Sequence, residues 1–486
     1  MPTPGADIRF ARGADDERGP AGKRAAEVAQ RIEAEIIARR WPVGAVLGTE
    51  QELRERYGVS RSVLREAVRL TEHHQVTRMR RGQNGGLFVA APDAGPATRA
   101  LVIYLEYIGL SVEDLMQARC HLEPLAVSIL AGQITEPGAA QLRAALAAEA
   151  SRRDEPGIFA QDAMHFVFAE MCGNPALELF IDVLARLTER YVQTTRRLPK
   201  DEILRGKLDS YATHVELVDA VIAGDGDLAA ATMDVHLEAA MRWLLEHRST
   251  RPKAVARTLE PPGAKLAEVV ASAVRDEIAR RGWPIGLVLG SETDLLARYG
   301  VSRSVLREAV RLLEYHSVAR MRRGPGGGLV VTEPEAEASI DTMALHLDFR
   351  GVTPRDLLTV RDAIELGTLT QVIARRHDPD VRARLEHAIA ITVESPEPGG
   401  RSADHFHTEL ADLSGNPVLA LFLRILTELW SRHTANTPSP RPGPDGVAMV
   451  KTVHRKILHA VLDGDVCAAR RRMRRHLGAL QAWYHQ

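Results

Sequence analysis

Cysteine is almost missing from this chain: there are three in 486 residues, Cys120, Cys172 and Cys467, with no paired spacing and no CxxC. That excludes a disulfide framework and a thiolate metal knuckle, and it fits a reducing compartment. Aromatic residues make up only 5%, while Ala, Leu, Arg and Glu dominate, a composition that favours helices. Charge of one sign is lacking too: 63 Lys and Arg stand against 64 Asp and Glu, a net charge of -1, so any surface for nucleic acid must be local. No apolar run is long enough to cross a bilayer, and the start of the chain has no apolar signal core. The length suits three or four domains, and a 45% hydrophobic content is enough for ordinary cores.

What is present is a repeat. Tyr57–Leu70, YGVSRSVLREAVRL, returns unchanged as Tyr299–Leu312, 242 positions later. Identity over such a length marks a tandem duplication. Read as a helix beginning near Ser60, the stretch has an apolar face of Leu64, Ala67, Val68 and Thr71. Arg61, Arg65 and Arg69 recur every fourth residue on the opposite face, separated by short side chains such as Ser62. A short helix with guanidinium groups on its outer face suits the major groove of DNA, although a solvated arginine face would look the same in isolation.

Around it the chain punctuates itself. Lys23–Arg40 has helical apolar spacing and stops at Trp41-Pro42. Thr49 and Glu52 form a capping box for a short helix that ends at Gly58, and Ser60 caps the next helix, giving a helix-turn-helix. Val76–Arg80 and Leu87–Ala90 read as two strands joined through Gly82, Gly85 and Gly86, a wing with Arg78, Arg80 and Arg81 at its base. The second copy repeats the capping with Ser291 and Asp294 and the wing with Arg320, Arg322 and Arg323. The DNA-contact candidates are therefore Ser60, Arg61, Ser62, Arg65 and Arg81, with Ser302, Arg303, Ser304, Arg307 and Arg323.

This segment, LGTEQELRERYGVSRSVLREAVRL followed by a glycine-rich wing, resembles the winged helix-turn-helix of GntR-family bacterial transcription regulators. The resemblance implies that Arg61 and Arg65 contact operator DNA. Some members carry an arginine between the two acidic residues of the first short helix, where this chain has Gln51 and, in the second copy, Thr293.

The remainder of each half reads as helices only, with approximate spans in the first of 95–109, 111–132, 135–153, 157–172, 175–198, 202–223 and 227–247. Three histidines per half recur in register. His165 has Asp162 three residues before it on the same face; His214 precedes Gly224 and His236 follows it on two antiparallel helices joined there. Asp404, His407, His454 and His476 repeat the set around Gly464. Imidazoles and a carboxylate converging inside a helical bundle make a site for a divalent transition metal, zinc before nickel or manganese, up to one per half. A lone histidine on an apolar face is more often a core residue, but the repetition between halves weighs against that. Arg119 with Glu123 and Arg361 with Glu365 recur as well; each arginine suits either an effector carboxylate or an i,i+4 ion pair.

These halves resemble the FCD ligand-binding domain of the FadR subfamily, through His165 with Gly173-Asn174-Pro175, His407 with Gly415-Asn416-Pro417, and the paired later histidines. In that family one Asp and three His often hold a metal. The family aspartate usually lies four residues before the first histidine, where this chain has Gln161 and Ala403.

The expected architecture is mainly α: a tail at 1–22, a winged helix-turn-helix at 23–92, an FCD-like bundle at 93–248, a linker at 249–263, a second winged domain at 264–334 and a second bundle at 335–486. The expected protein is a cytoplasmic, nucleoid-associated regulator of transcription, a repressor, not an enzyme and without a membrane partner. It would bind palindromic or pseudo-palindromic operator DNA under control of a small organic acid, as an intrachain pseudo-dimer or as a homodimer of fused chains. The competing readings are a structural DNA-bridging protein and a metal-dependent hydrolytic enzyme.

Overall fold

The structure is a computed structural model that describes residues 20–484 apart from 81, 83–84, 153–161, 194–198, 248–264, 325, 335, 395–399 and 437–443. The expected linker at 249–263, most of the tail, most of the Pro438–Pro444 loop and the wing residue Arg81 lie outside the described residues. Two compact units emerge, one ending at Asp93 and one beginning at Ala94.

The first unit is a winged helix: α1 (Pro20–Ala38), β1 (Val46–Gly48), α2 (Glu50–Tyr57), α3 (Arg61–His73), β2 (Thr77–Arg80) and β3 (Gly86–Val89). Thr49 caps α2 and accepts from the Glu52 N–H while Glu52 returns a bond to the Thr49 N–H, and Gly58 closes the helix at φ 62°. Ser60 then caps α3. Leu64, Ala67, Val68 and Thr71 are all buried, as their spacing required, beside Val28, Ile32 and Ile36 of α1; each fully buried aliphatic side chain contributes about 1.5–3 kcal/mol. The Tyr57 hydroxyl donates to Glu35 at 2.6 Å, pinning α2 to α1. Strand β1 was not expected: it pairs antiparallel with β3, so the wing is a three-stranded sheet in the order β1-β3-β2. Its run of three residues is too short for an alternation to be legible. Gly86 is where β1 and β3 close up, since a Cβ there would lie 2.9 Å from the Gly48 carbonyl oxygen and from Val46 Cγ1.

The second unit opens with seven helices: α4 (Ala94–Tyr107), α5 (Val112–Ala131), α6 (Glu136–Ser151), α7 (Asp162–Met171), α8 (Pro175–Gln193), α9 (Lys200–Ile222) and α10 (Gly226–Glu246). The winged domain follows again as α11 (Leu266–Arg280), α12 (Glu292–Tyr299), α13 (Arg303–Tyr315), β4 (Ala319–Arg322) and β5 (Gly328–Val331). Val288 bridges to Val330 where β1 pairs in the first copy. The second helical half comprises α14 (Glu337–Phe349), α15 (Pro354–Arg375), α16 (Pro379–Glu394), α17 (Gly400–Ser414), α18 (Pro417–Asn436), α19 (Pro444–Asp463) and α20 (Val466–Tyr484). Among the described residues no helix is long and apolar enough to cross a membrane.

Within this unit the two helical halves meet about a local two-fold relation. Asn174 Nδ2 donates to the Asp356 carbonyl at 3.2 Å, and its counterpart Asn416 donates to the Asp114 carbonyl at 2.9 Å. Each asparagine also caps its own helix, accepting from the N–H groups of Ala176 and Leu177, or of Val418 and Leu419. The relation is not perfect. His121 lies over Gly367, where a Cβ would come within 2.6 Å of its ring, whereas the symmetry-matched positions hold Ala363 and Leu125.

The second winged domain is packed on the first helical half. Ile103 of α4 joins the core made by Val270, Val274, Leu306, Val310 and Leu329. The Tyr107 ring meets Trp283 edge-on at 5.5 Å, and its hydroxyl donates to Glu333 at 2.9 Å. Arg190 of α8 donates to Glu106 at 2.5 Å and to Asp276 of α11 at 3.2 Å.

Candidate metal centres and DNA-facing helices

Helices α3 and α13 present their arginines outward, as the spacing anticipated. The side chains of Arg61, Arg65, Arg303 and Arg307 are 63%, 59%, 74% and 69% exposed. An acid missed in the sequence governs their resting position. Glu50, the first residue of α2, holds Arg61 at 2.5 Å and stands 4.0 Å from Arg65; Glu292 lies 3.9 Å from Arg303 and 3.6 Å from Arg307. In the sequence Glu50 is legible only as one of the two acidic residues that flank Gln51 in the first short helix. Ser60 accepts from the Val63 N–H at 3.3 Å and lies 3.0 Å from Ser62 Oγ; Ser302 and Ser304 repeat this at 2.9 Å. Arg323 is exposed beside the second wing.

Inside each helical half the three histidines come together. His165 on α7, His214 on α9 and His236 on α10 bring ring nitrogens within 4.8 Å of one another, and His407 on α17, His454 on α19 and His476 on α20 do the same. His165 Nε2 and His236 Nε2 are 3.1 Å apart. In the second half the Nε2 atoms of His454 and His476 are 3.0 Å apart, and those of His476 and His407 3.2 Å. Ligand nitrogens around a tetrahedral zinc at its usual bond length stand about 3.3 Å apart, so both triads fit such an ion after a small relaxation. Asp162 is the first residue of α7 and Asp404 the fifth of α17, and their side chains lie outside the described residues.

Two further acids orient the rings. Glu123 on α5 accepts from His165 Nδ1 at 2.5 Å, and Glu365 on α15 accepts from His407 Nδ1. With Nδ1 thus committed as the protonated nitrogen, Nε2 turns its lone pair to the centre, the ligand form. Burial would raise both carboxyls, but Arg119 and His165 hold Glu123 down at about 2, and His407 and Arg361 do the same for Glu365. Burial, reinforced by neighbouring imidazoles, pushes His236 down to about 2 and His476 to about 3, and pushes His454 down as well. These rings therefore stay neutral and ready to ligate at ordinary pH. Glu149 on α6 supplies a third carboxylate, 2.9 and 3.0 Å from His214 Nδ1.

Arg119 and Arg361 are buried in their intrahelical pairs, each donating from Nε at 2.5 Å to Glu123 or Glu365; Arg119 also donates to Thr188 of α8 at 2.9 Å. The sequence signalled Glu123 and Glu365 only as partners of arginine. Their recurrence in both halves was the available clue to a buried role.

Comparison with known proteins gives the same division. The model of the FCD domain matches residues 114–239 and 356–479, and that described as bacterial regulatory proteins, gntR family, matches 24–89 and 266–329. The chain belongs to the GntR family. Its helical halves are FCD domains, and each kind of domain is present twice. This GntR protein is 27% identical over 218 residues to the putative L-lactate dehydrogenase operon regulatory protein of Escherichia coli (strain K12), covering 44% of this chain and 84% of that one. It is 25% identical to the HTH-type transcriptional repressor NanR of Salmonella newport (strain SL254), over 43% of this chain and 81% of that one. The Uxu operon regulator of Haemophilus influenzae is 25% identical, over 50% of this chain and 87% of that one. Less than or about half of this chain thus spans most of each relative. A solved structure titled Streptococcus agalactiae GntR aligns with 45% of this chain and 99% of its own at 22% identity and a TM-score of 0.33. The GntR protein is a DNA-binding transcriptional regulator rather than an enzyme, and its partner is operator DNA.

Proposed function

We propose that this chain is a FadR-subfamily repressor in which two regulator protomers are fused, each FCD domain holding one divalent metal ion, zinc before nickel or manganese, and responding to a small organic acid in the cytoplasm. The observation that carries the metal reading is the pair of buried histidine triads, built alike in both halves with Nδ1 of His165 and His407 committed to carboxylates. His165, His214 and His236, or His407, His454 and His476, would hold the ion, with Asp162 or Asp404 as the further ligand. The bound metal supplies an electrophile for an effector carboxylate. Arg119 and Arg361, whose guanidinium charges reach the triads, would bias that position toward an anion.

On the DNA side, Arg61, Arg65, Arg303 and Arg307 would exchange Glu50 and Glu292 for bases and phosphates, with Ser60, Ser62, Ser302, Ser304, Arg81 and Arg323 contributing to the same contact. Recognition helices identical through Leu70 and Leu312 in one chain favour a palindromic or pseudo-palindromic operator read by a single chain. The reciprocal Asn174 and Asn416 bonds support an intrachain pseudo-dimer, as does the His121–Gly367 fit. Pairing two first halves would set His121 against Leu125, and pairing two second halves would leave Gly367 facing Ala363, so unlike halves fit best.

Elemental analysis of protein purified without chelator tests the metal reading: up to two ions per chain are expected, and His214→Ala with His454→Ala should remove them. Folded protein that cannot be loaded would overturn it. Selection of DNA by the purified protein, with and without candidate organic acids, tests the remainder.

A further inference from the structure

We infer that the two metal centres are unequal, and that Glu149 makes the first of them the tighter. The inference rests on the metal reading above and concerns the carboxylates behind the ligands rather than the ligands themselves.

Both centres share one arrangement: the histidine of α7 or α17 is backed by a buried glutamate of α5 or α15. They differ at the next histidine. In the first half His214, fully buried, places Nδ1 2.9 and 3.0 Å from the two Glu149 oxygens, and the Glu149 side chain is only 13% exposed. Glu149 comes from α6, an element that contributes no ligand of its own. Its counterpart α16 is also 16 residues long. Neither Thr392, which has the place within α16 that Glu149 has within α6, nor Ile391, 242 residues after Glu149 in the register that pairs His165 with His407, carries a charge. The second half fixes its ring by other means. Phe406 stacks on His454 with centroids 3.8 Å apart and planes 8° from parallel, and the place of Phe406 in the first half is taken by Met164.

The two devices are not equivalent chemically. A stacked phenyl ring fixes the plane of an imidazole but leaves its basicity unchanged. A carboxylate accepting from Nδ1 fixes the plane and the tautomer, makes Nε2 a better donor and places a further negative charge near the cation; such partners are worth about 10–100-fold in metal affinity. Among the described residues the first triad is therefore backed by two carboxylates, Glu123 and Glu149, and the second by one, Glu365. Under limiting metal the chain should load one half before the other, so that two nearly identical DNA-binding halves come under unequal control. Glu149 acts here as a positioning residue through His214.

The test is a titration of chelator-stripped full-length protein with zinc against a chromophoric competitor. Two steps are expected, separated by about 10–100-fold, with His214→Ala removing the tighter. Glu149→Gln, which keeps the size and an oxygen acceptor, should weaken the tight step by about tenfold or more and leave the weak step unchanged, an outcome that general loosening of the fold would not give. Ile391→Glu and Thr392→Glu each put a carboxylate at a position matching Glu149, and one of them should strengthen the weak step. Two indistinguishable steps in the unaltered chain, or a tight step indifferent to Glu149→Gln, would overturn the inequality while leaving the metal reading intact. No zinc bound at either centre would overturn both.

Discussion

Phe180 and Phe422 stack face to face with ring centroids 4.0 Å apart and planes 4° from parallel. They occupy the same position in the two copies, 242 residues apart, so they can touch only where the two-fold relation between the helical halves has its axis. Both are fully buried. Phe180→Ala should cost about 3–5 kcal/mol through lost burial and the cavity left behind, read in denaturant unfolding. The unaltered chain should run at 53.4 kDa in light scattering, as a single chain. Gly367→Leu, which would drive a side chain into His121, should loosen the same junction. A chain that is a stable homodimer, or a Gly367→Leu variant as stable as the parent, would reject pairing within one chain.

Arg61 and Arg303 head helices that are identical over their first ten residues. Removing a good base contact costs about 1–3 kcal/mol, so Arg61→Ala combined with Arg303→Ala should lower operator affinity by two orders of magnitude or more with unchanged helix content. Fluorescence anisotropy with a selected operator is the measurement, and undiminished affinity would remove these residues from the interface.

Arg190 ties the second winged domain to the first helical half by bridging Glu106 and Asp276. All three side chains are largely buried, and deleting one partner of such a pair typically costs about 3–5 kcal/mol because the others are left uncompensated. Arg190→Ala should therefore raise hydrogen exchange selectively in residues 266–280 and 292–315. The positions matching Asp276 and Glu333 in the first copy hold Ala34 and Ala91, so these bonds belong to the second copy by sequence. The equivalent arginine, Arg432, pairs with Asp341 and Glu428. Uniform loss of protection across the chain would contradict a local anchoring role.

Burial pushes Asp412 up to about 6, against the opposing pull of Arg424. A carboxyl raised in the folded state keeps its proton there after the unfolded chain has lost it. Stability is therefore drained as pH climbs from about 4 to about 6, and the penalty is constant above that. Asp412→Asn should then be stabilising by roughly 1–2 kcal/mol at pH 7.5, with the advantage fading near pH 4.5. Thermal midpoints of both proteins at the two pH values decide this; a gain that is equal at both would assign the effect to something other than charge.

Much of this protein was legible before any fold was known. Caps at Thr49, Ser60, Ser291 and Ser302 and the left-handed Gly58 and Gly300 mark helix ends through bonds made within three or four residues, and those are local chemistry. The histidine triads were legible because the duplication supplied an internal comparison, with the same residues kept at nearly the same separations in two otherwise diverged halves. Periodicity correctly put Leu64 and Ala67 inside and Arg61 and Arg65 outside, since helical spacing alone decides which face a residue occupies.

Which partner waits on that face is a different matter, and tertiary packing alone decided it. Glu123 reaches His165 across 42 residues, Glu149 reaches His214 across 65, and Arg190 reaches Asp276 across 86. Glu50 meets Arg61 across a turn that spacing does not resolve. No periodic signal spans such intervals, because the direction in which one helix crosses another depends on the side chains of both. The sequence by itself determined the elements, the duplication and which histidines recur; the packing of those elements determined that the histidines meet in threes and which carboxylates stand behind them.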